Sequence, residues 1–267
     1  MPPFRGTIDV SGVRIELARK GRGRPLLFLH PGDDVSPEAA VIERLARQFE
    51  VILPVHPGFG ASDMPRSYST VDDLAYFYLD FLEHLDLRDV VLAGVSFGAW
   101  LAAEIAIKST ERLGHVVLAD AVGVKFGPPD VREIRDMFTL TAVQLLDYLY
   151  RSPARHAPRY TEMSEDDLVR VARNREAMQL MAWSPTLYDP KLRQRLHRIN
   201  VPTKLLWGAH DRIVPPDYGR AFAAEIPGAT LELIADAGHY SHIEQPDAFA
   251  AAIESFAGGA ARVRRAI

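Results

Sequence analysis

Short apolar runs that alternate with helix-patterned segments restrict this chain more than any other feature. Leu26-Leu27-Phe28-Leu29, Val51-Ile52-Leu53, Val90-Val91-Leu92-Ala93 and Val116-Val117-Leu118-Ala119 carry no polar residue, Lys204-Leu205-Leu206-Trp207 carries one, and Leu231-Glu232-Leu233-Ile234 is a weaker sixth. A strand apolar on both sides must be covered on both faces, which is the condition of a parallel sheet with helices front and back. Strand–helix alternation of this kind builds a doubly wound α/β sheet with short right-handed crossovers. Ahead of it, Thr7–Val10 and Val13–Leu17 alternate around the turn pair Ser11-Gly12, the pattern of a hairpin.

The intervening segments carry their own signals. Ser36-Pro37-Glu38 offers an N-cap, a proline at the first helical position and an acidic first turn, for a helix reaching about Gln48. Ser69 is placed to cap the next helix, where Leu74, Phe77, Phe81, Leu82 and Leu85 form a stripe at helical spacing. From Ala99 to Ile107 only Glu104 is charged, so that helix is expected to be deeply buried. Pro246 opens the last helix, with Phe249, Ile253 and Phe256 on one face.

One stretch interrupts the rhythm. Residues 123–199 show helical patterns and no convincing strand. Prolines punctuate them (128, 129, 153, 158, 185 and 190), and Gly127-Pro128-Pro129 and Val201-Pro202 bound them. The expected organisation is one core domain, 1–122 with 200–267, interrupted by a helical cap at 123–199. A chain of 267 residues suffices for a single α/β domain with a proper core.

Composition removes several classes of function. A net charge of −4 gives no basic face for nucleic acid. Arg262, Arg264 and Arg265, beside Gly258, Gly259 and Ala260, read as a solvated tail. With no cysteine there is no disulfide, no thiolate nucleophile and no thiolate metal ligand. Met1-Pro2-Pro3-Phe4-Arg5-Gly6 lacks a signal-like apolar region and no later run is long enough to span a membrane, so a soluble cytoplasmic protein is expected.

Gly94-Val95-Ser96-Phe97-Gly98 follows a buried strand and precedes a buried helix, the context of a nucleophile elbow. A chain this long yields only about 0.1 chance matches to such a pentapeptide. The tight turn thrusts the Ser96 hydroxyl out at the sheet's carboxyl edge and aims the Phe97 N–H at a substrate oxygen. A serine needs a base, and the base needs a partner that fixes its tautomer. Among nine histidines, His239 lies between the last strand and the last helix, where its loop reaches the same edge. His242 is the nearest rival, and His30 is expected to shape its own loop. Asp211, in Trp207-Gly208-Ala209-His210-Asp211, stands just beyond a strand's carboxyl end; Asp120 is the alternative acid. The chain order Ser96, Asp211, His239 is that of one class of hydrolytic triad. A second oxyanion donor is expected from His30-Pro31-Gly32-Asp33-Asp34; Pro31 has no N–H, so the donor is Gly32 or Asp33.

Together these residues resemble the α/β-hydrolase superfamily, in particular its small bacterial esterase-like members with a helical cap, over nearly the whole chain. Trp207 to Pro215 looks like the acid-bearing segment, Gly238 to Pro246 like the histidine segment, and His56 to Ser62 like a structural glycine-rich loop. The resemblance implies Ser96, Asp211 and His239 as the triad, with the Phe97 and Gly32 N–H groups as oxyanion hole. His30-Pro31 departs from the family's His-Gly, and serine at 96 disfavours the members with an aspartate nucleophile. The implied activity is hydrolysis of carboxylic esters of small, largely apolar molecules, without metal or organic cofactor, by a monomer or homodimer. Cleavage of a carbon–carbon bond, a lactone or an amide, and acyl transfer, are open to the same triad. A ligand receptor with a slow triad is the alternative of another class. Phe138, Met181 and Trp183 are expected to line the pocket. Arg173 and Arg175 could face a substrate carboxylate, but a helix this charged points to solvent for both.

Overall fold

A computed structural model describes residues 4–258 apart from 34, 37 and 129. The arginine-bearing tail, Asp34, Pro37 and Pro129 therefore lie outside the described residues.

All six apolar runs are strands. The eight-stranded sheet has the order β1-β2-β4-β3-β5-β6-β7-β8. Its members are β1 (Phe4–Val10), β2 (Val13–Gly21), β3 (Arg24–Leu29), β4 (Phe49–Pro54), β5 (Val90–Val95), β6 (Leu113–Ala119), β7 (Thr203–Gly208) and β8 (Thr230–Ile234). The first two pair antiparallel, β2 joins β4 antiparallel, and every later pairing is parallel. The hairpin turns where expected: Ser11 and Gly12 take φ of 52° and 82°, two consecutive left-handed residues that match the twist of the flanking strands.

Helices cover both faces. Leu27, Leu29, Leu92, Val116, Leu118 and Leu205 pack in one cluster with α2 (Val71–His84), α3 (Phe97–Lys108) and α8 (Pro216–Ala224). Their strand neighbours Leu26, Phe28, Val91, Ala93, Val117 and Leu206 face the opposite cluster, with α1 (Ala40–Leu45) and α10 (Pro246–Ala257). The period-two alternation of strand side chains thus divides each run between two cores. The buried α3 accommodates its one carboxylate by local pairing: Glu104 accepts from Trp100 Nε1 at 3.2 Å and from Lys108 Nζ at 3.2 Å.

Two helix starts differ from expectation. Ser36 does not cap α1. Its hydroxyl accepts the Glu38 N–H at 3.1 Å and donates to the Glu38 carboxylate at 2.6 Å, closing a turn ahead of the helix. Consequently α1 begins at Ala40 from an extended Ala39 with no side-chain cap, and it ends at Leu45, short of Gln48. The cap of α2 is Thr70, not Ser69. Thr70 Oγ1 accepts the Asp73 N–H, while the Asp73 carboxylate accepts the Thr70 N–H at 2.9 Å, a reciprocal capping box.

Between β6 and β7 the described residues form no strand beyond one isolated parallel bridge, Gly123 with Tyr188; the helices are α4 (Ala142–Leu149), α5 (Pro153–His156), α6 (Glu165–Ala182) and α7 (Leu192–Arg195), with short 3-10 turns. The longest, α6, is seated on the glycine-rich loop. Asn174 Oδ1 accepts the Gly60 N–H at 2.7 Å, and Arg173 donates to the carbonyls of Gly58 at 3.3 Å and Ser62 at 2.7 Å. A last short helix, α9 (Ser241–Glu244), follows the His239 loop.

Candidate active site

Ser96 occupies a strained turn between β5 and α3, at φ 52° and ψ −113°. That strain is over-determined by its neighbours, as strain at a working site must be. A Cβ on Gly94 would lie 2.2 Å from the Gly98 carbonyl oxygen, and one on Gly98 would lie 2.2 Å from that of Leu29. No side chain larger than hydrogen fits either flank, so the turn can be this sharp only with both glycines. Phe97 is the first helical residue, and its N–H has no partner within the helix.

Asp211 follows β7, and His239 follows β8. The Asp211 carboxylate accepts the N–H groups of Ile213 at 2.8 Å and Val214 at 3.0 Å through Oδ1, leaving Oδ2 for the histidine. His239 Nδ1 lies 2.8 Å from Asp211 Oδ2, and His239 Nε2 lies 2.7 Å from Ser96 Oγ. All three residues are buried. Because the acid can only accept, the imidazole carries its proton on Nδ1 and presents a lone pair to the serine hydroxyl. The arrangement can therefore take a proton from Ser96 and hold it on an imidazole stabilised from behind.

The alternatives have other duties. Asp120 does not bond to His239: it accepts the Gly208 N–H at 2.7 Å, and Ser241 Oγ lies 2.5 Å from its other oxygen. Burial, and after it the nearby Asp211, hold its carboxyl well above the usual carboxylate range. His242 is packed between Phe28, Tyr240 and Phe249, and neither ring nitrogen has a hydrogen-bond partner. Burial pushes its pKa down to about 3.

Ser96 opens into a cavity of about 170 Å³, lined by Gly32, Asp33, Met137, Phe138, Leu140, Ala142, Leu145, Leu149, Arg175, Met178, Gln179 and Tyr240. Of the three expected pocket residues, Phe138 is there. Met181 is not among the lining residues: it is buried in the core cluster, one turn beyond Met178, which does line the cavity. Trp183 is 54% exposed and reaches the cavity only through its ring against Phe138, 6.2 Å between centroids. Arg173 and Arg175 are both exposed, as expected. Arg175 nonetheless stands at the cavity rim, donating to Tyr160 Oη at 2.9 Å. Gly32 and Asp33 both reach this cavity, and the Asp33 carboxylate accepts from Tyr240 Oη at 3.2 Å.

Glu244 was not among the expected site residues. Its buried carboxylate accepts the N–H groups of Gly238 at 2.7 Å, Arg151 at 3.0 Å and Ser152 at 2.8 Å, tying the His239 loop to the helices above it. Its only signal in the sequence is a glutamate five residues after the histidine, which does not distinguish it from a surface carboxylate.

The chain is similar to several known proteins over most of its length. The chain is 28% identical over 94% of its length to the dihydrolipoyllysine-residue acetyltransferase component of the acetoin cleaving system of Cupriavidus necator, covering 68% of that protein. It is 27% identical over 96% of its length to 2-hydroxymuconate semialdehyde hydrolase of Pseudomonas putida, covering 94% of it. Among solved structures, a thermophilic esterase from Thermogutta terrifontis superposes with a TM-score of 0.72 at 27% identity, covering 94% of this chain and 97% of that one. The model of the alpha/beta hydrolase family matches residues 26–252. On that match, and on a mostly parallel eight-stranded sheet with a serine at its strained elbow, this chain belongs to the alpha/beta hydrolase family.

Proposed function

We propose that this chain hydrolyses carboxylic esters of small, largely apolar substrates through an acyl-enzyme on Ser96. The observation that carries the proposal is the unbroken line Asp211–His239–Ser96, with contacts of 2.8 and 2.7 Å, ending at a cavity walled mostly by apolar side chains. In this reading His239 Nε2 takes the Ser96 proton as the oxygen attacks the ester carbonyl, and the N–H groups of Phe97 and Gly32 receive the oxyanion. His239 then protonates the leaving alkoxide, and water attacks the acyl-enzyme by the same steps in reverse. Residues 123–199 act as a cap that supplies Phe138 and the other apolar walls. No step calls on a metal or organic cofactor.

Two relatives support a second reading. One is named as a hydrolase of 2-hydroxymuconate semialdehyde, and the other as an acetyltransferase component. The same triad serves C–C hydrolysis and acyl transfer, and Arg175 at the cavity rim would suit an acidic substrate. A substrate panel separates these readings: p-nitrophenyl acetate to octanoate, an enol-lactone, and a vinylogous 1,5-diketone acid. The expected result is highest kcat/KM on a short or medium-chain ester, at least tenfold above the diketone. A preference for the diketone would transfer the assignment to C–C hydrolysis.

A further inference from the structure

Behind the loop at 30–33 lies a buried polar chain that the triad does not use. His30 and His56 stack with centroids 3.7 Å apart, and Phe59 meets both rings edge-on. Their hydrogen bonds fix both tautomers. The backbone N–H of His56 donates to His30 Nε2 at 3.0 Å, so that nitrogen bears the lone pair. The proton of His30 is then on Nδ1, which donates to the Pro31 carbonyl at 2.7 Å. The second ring is set the same way: His56 Nε2 donates to the His30 carbonyl at 3.0 Å, and Nδ1 accepts from Tyr78 Oη at 2.6 Å.

The acceptor of the His30 proton is the important one. In a planar trans peptide the C=O and the following N–H point in opposite directions. A donor locked onto the Pro31 carbonyl therefore aims the Gly32 N–H away from the histidine pair. Gly32 lines the same cavity as Ser96. The next residue, Asp33, has its carboxylate drawn to Tyr240 Oη. We infer that His30 is a positioning residue that, through the shared Pro31–Gly32 peptide plane, aims the Gly32 N–H at the oxyanion formed on Ser96. This rests on the acyl-enzyme reading above, and it assigns the second donor to Gly32 over Asp33.

Asparagine carries an amide where histidine has Nδ1, and glutamine reaches the position of Nε2. His30→Asn therefore keeps a donor for the Pro31 carbonyl, whereas His30→Gln and His30→Ala do not. Turnover is measured per site titrated with a fluorophosphonate, so that unfolded chains do not count. The expected result is kcat within about fivefold of wild type for His30→Asn. For His30→Gln and His30→Ala a loss of about 10- to 100-fold is expected with KM within about threefold, somewhat less than removing an oxyanion donor outright. A merely structural role would lower the number of titratable sites and leave kcat per site unchanged. On the wild-type chain, nitrogen-15 NMR of His30 at neutral pH is expected to show the Nδ1–H tautomer; the Nε2–H tautomer would overturn the assignment, whatever the variants do. A wild type that takes no fluorophosphonate at Ser96 would overturn the acyl-enzyme reading and this assignment with it. A wild type that labels and turns over, while His30→Asn and His30→Gln lose kcat equally or not at all, would overturn the assignment alone.

Discussion

His239 and His242 sit three residues apart, both fully buried, and only their partners separate them. One ring is bonded at both nitrogens, to Asp211 and Ser96; the other has no bond at either. The carboxylates divide in the same way. Asp211 is met by two N–H groups and an imidazole, while Asp120 is held well above the usual range by burial and then by Asp211 itself. Environments that differ this much between like residues are how one site separates its base and acid from its scaffold. The unpartnered histidine has a measurable signature. Its pKa is about 3 in the folded chain against an ordinary 6.5, so between those values the unfolded chain binds more protons. Its contribution to stability is present above pH 6.5 and is lost as the pH falls. Replacing it with leucine, which fits an apolar pocket, should flatten the fall in unfolding free energy between pH 6 and pH 4 by about 1.4 kcal/mol per pH unit. His56 and Asp120 titrate alike in both chains and cancel in the difference. Urea titrations at several pH values measure it; parallel curves for His242→Leu and wild type would show that the ring is not held neutral.

At the scale of elements, the loops after β7 and β8 are fastened to the helices above them through backbone groups. The Tyr240 N–H donates to the Leu149 carbonyl at 3.1 Å, Arg212 donates to the Tyr150 carbonyl at 3.0 Å, and Glu244 collects three N–H groups from both sides. Removing that carboxylate orphans donors that water reaches poorly, each worth about 1–3 kcal/mol. Glu244→Ala is therefore expected to cost about 3 kcal/mol or more in urea unfolding, and Glu244→Gln, which keeps one acceptor oxygen, clearly less. A loss under about 1 kcal/mol for the alanine variant would mean the clasp is not needed. The strands β3 to β7 were readable in the sequence because each holds an apolar run covered by helices on both faces, and β1 and β2 because they alternate around a turn pair. The helix starts were less so: the serines at 36 and 69 are as good cap formers as Thr70, and Asp72 follows Ser69 by three residues as Asp73 follows Thr70, so only the reciprocal bonds of Thr70 and Asp73 decide for threonine. The cavity walls were least readable. Arg175, Met178 and Gln179 share one face of α6 at helical spacing, but which face turns to Ser96 depends on how Asn174 and Arg173 seat the helix on the loop at 58–62. Met181, one turn beyond Met178 and packed in the same core cluster, carries the same chemistry and does not line the cavity.

Over the whole molecule, the sheet order does the assembling. β5 lies inside the sheet between β3 and β6, so the Ser96 elbow sits beside the loop that leaves β3 and the Asp120 end of β6, with the loops after β7 and β8 alongside. Ligands of open α/β sheets bind outside the carboxyl ends of the strands. That rule made Ser96, Asp211 and His239 recognisable from their places along the chain, although 143 residues separate serine from histidine. It said nothing of the supports, His30 and Glu244, whose roles depend on backbone groups that carry no signature of residue type. The line from Asp211 to Ser96 is most directly tested by treating the folded chain with a fluorophosphonate and mapping the adduct by peptide mass. The expected result is a single stoichiometric phosphonyl group on the peptide bearing Ser96, absent from a folded Ser96→Ala variant whose ester turnover has dropped by several orders of magnitude. Full ester turnover by that variant, or an adduct on a different residue, would contradict it.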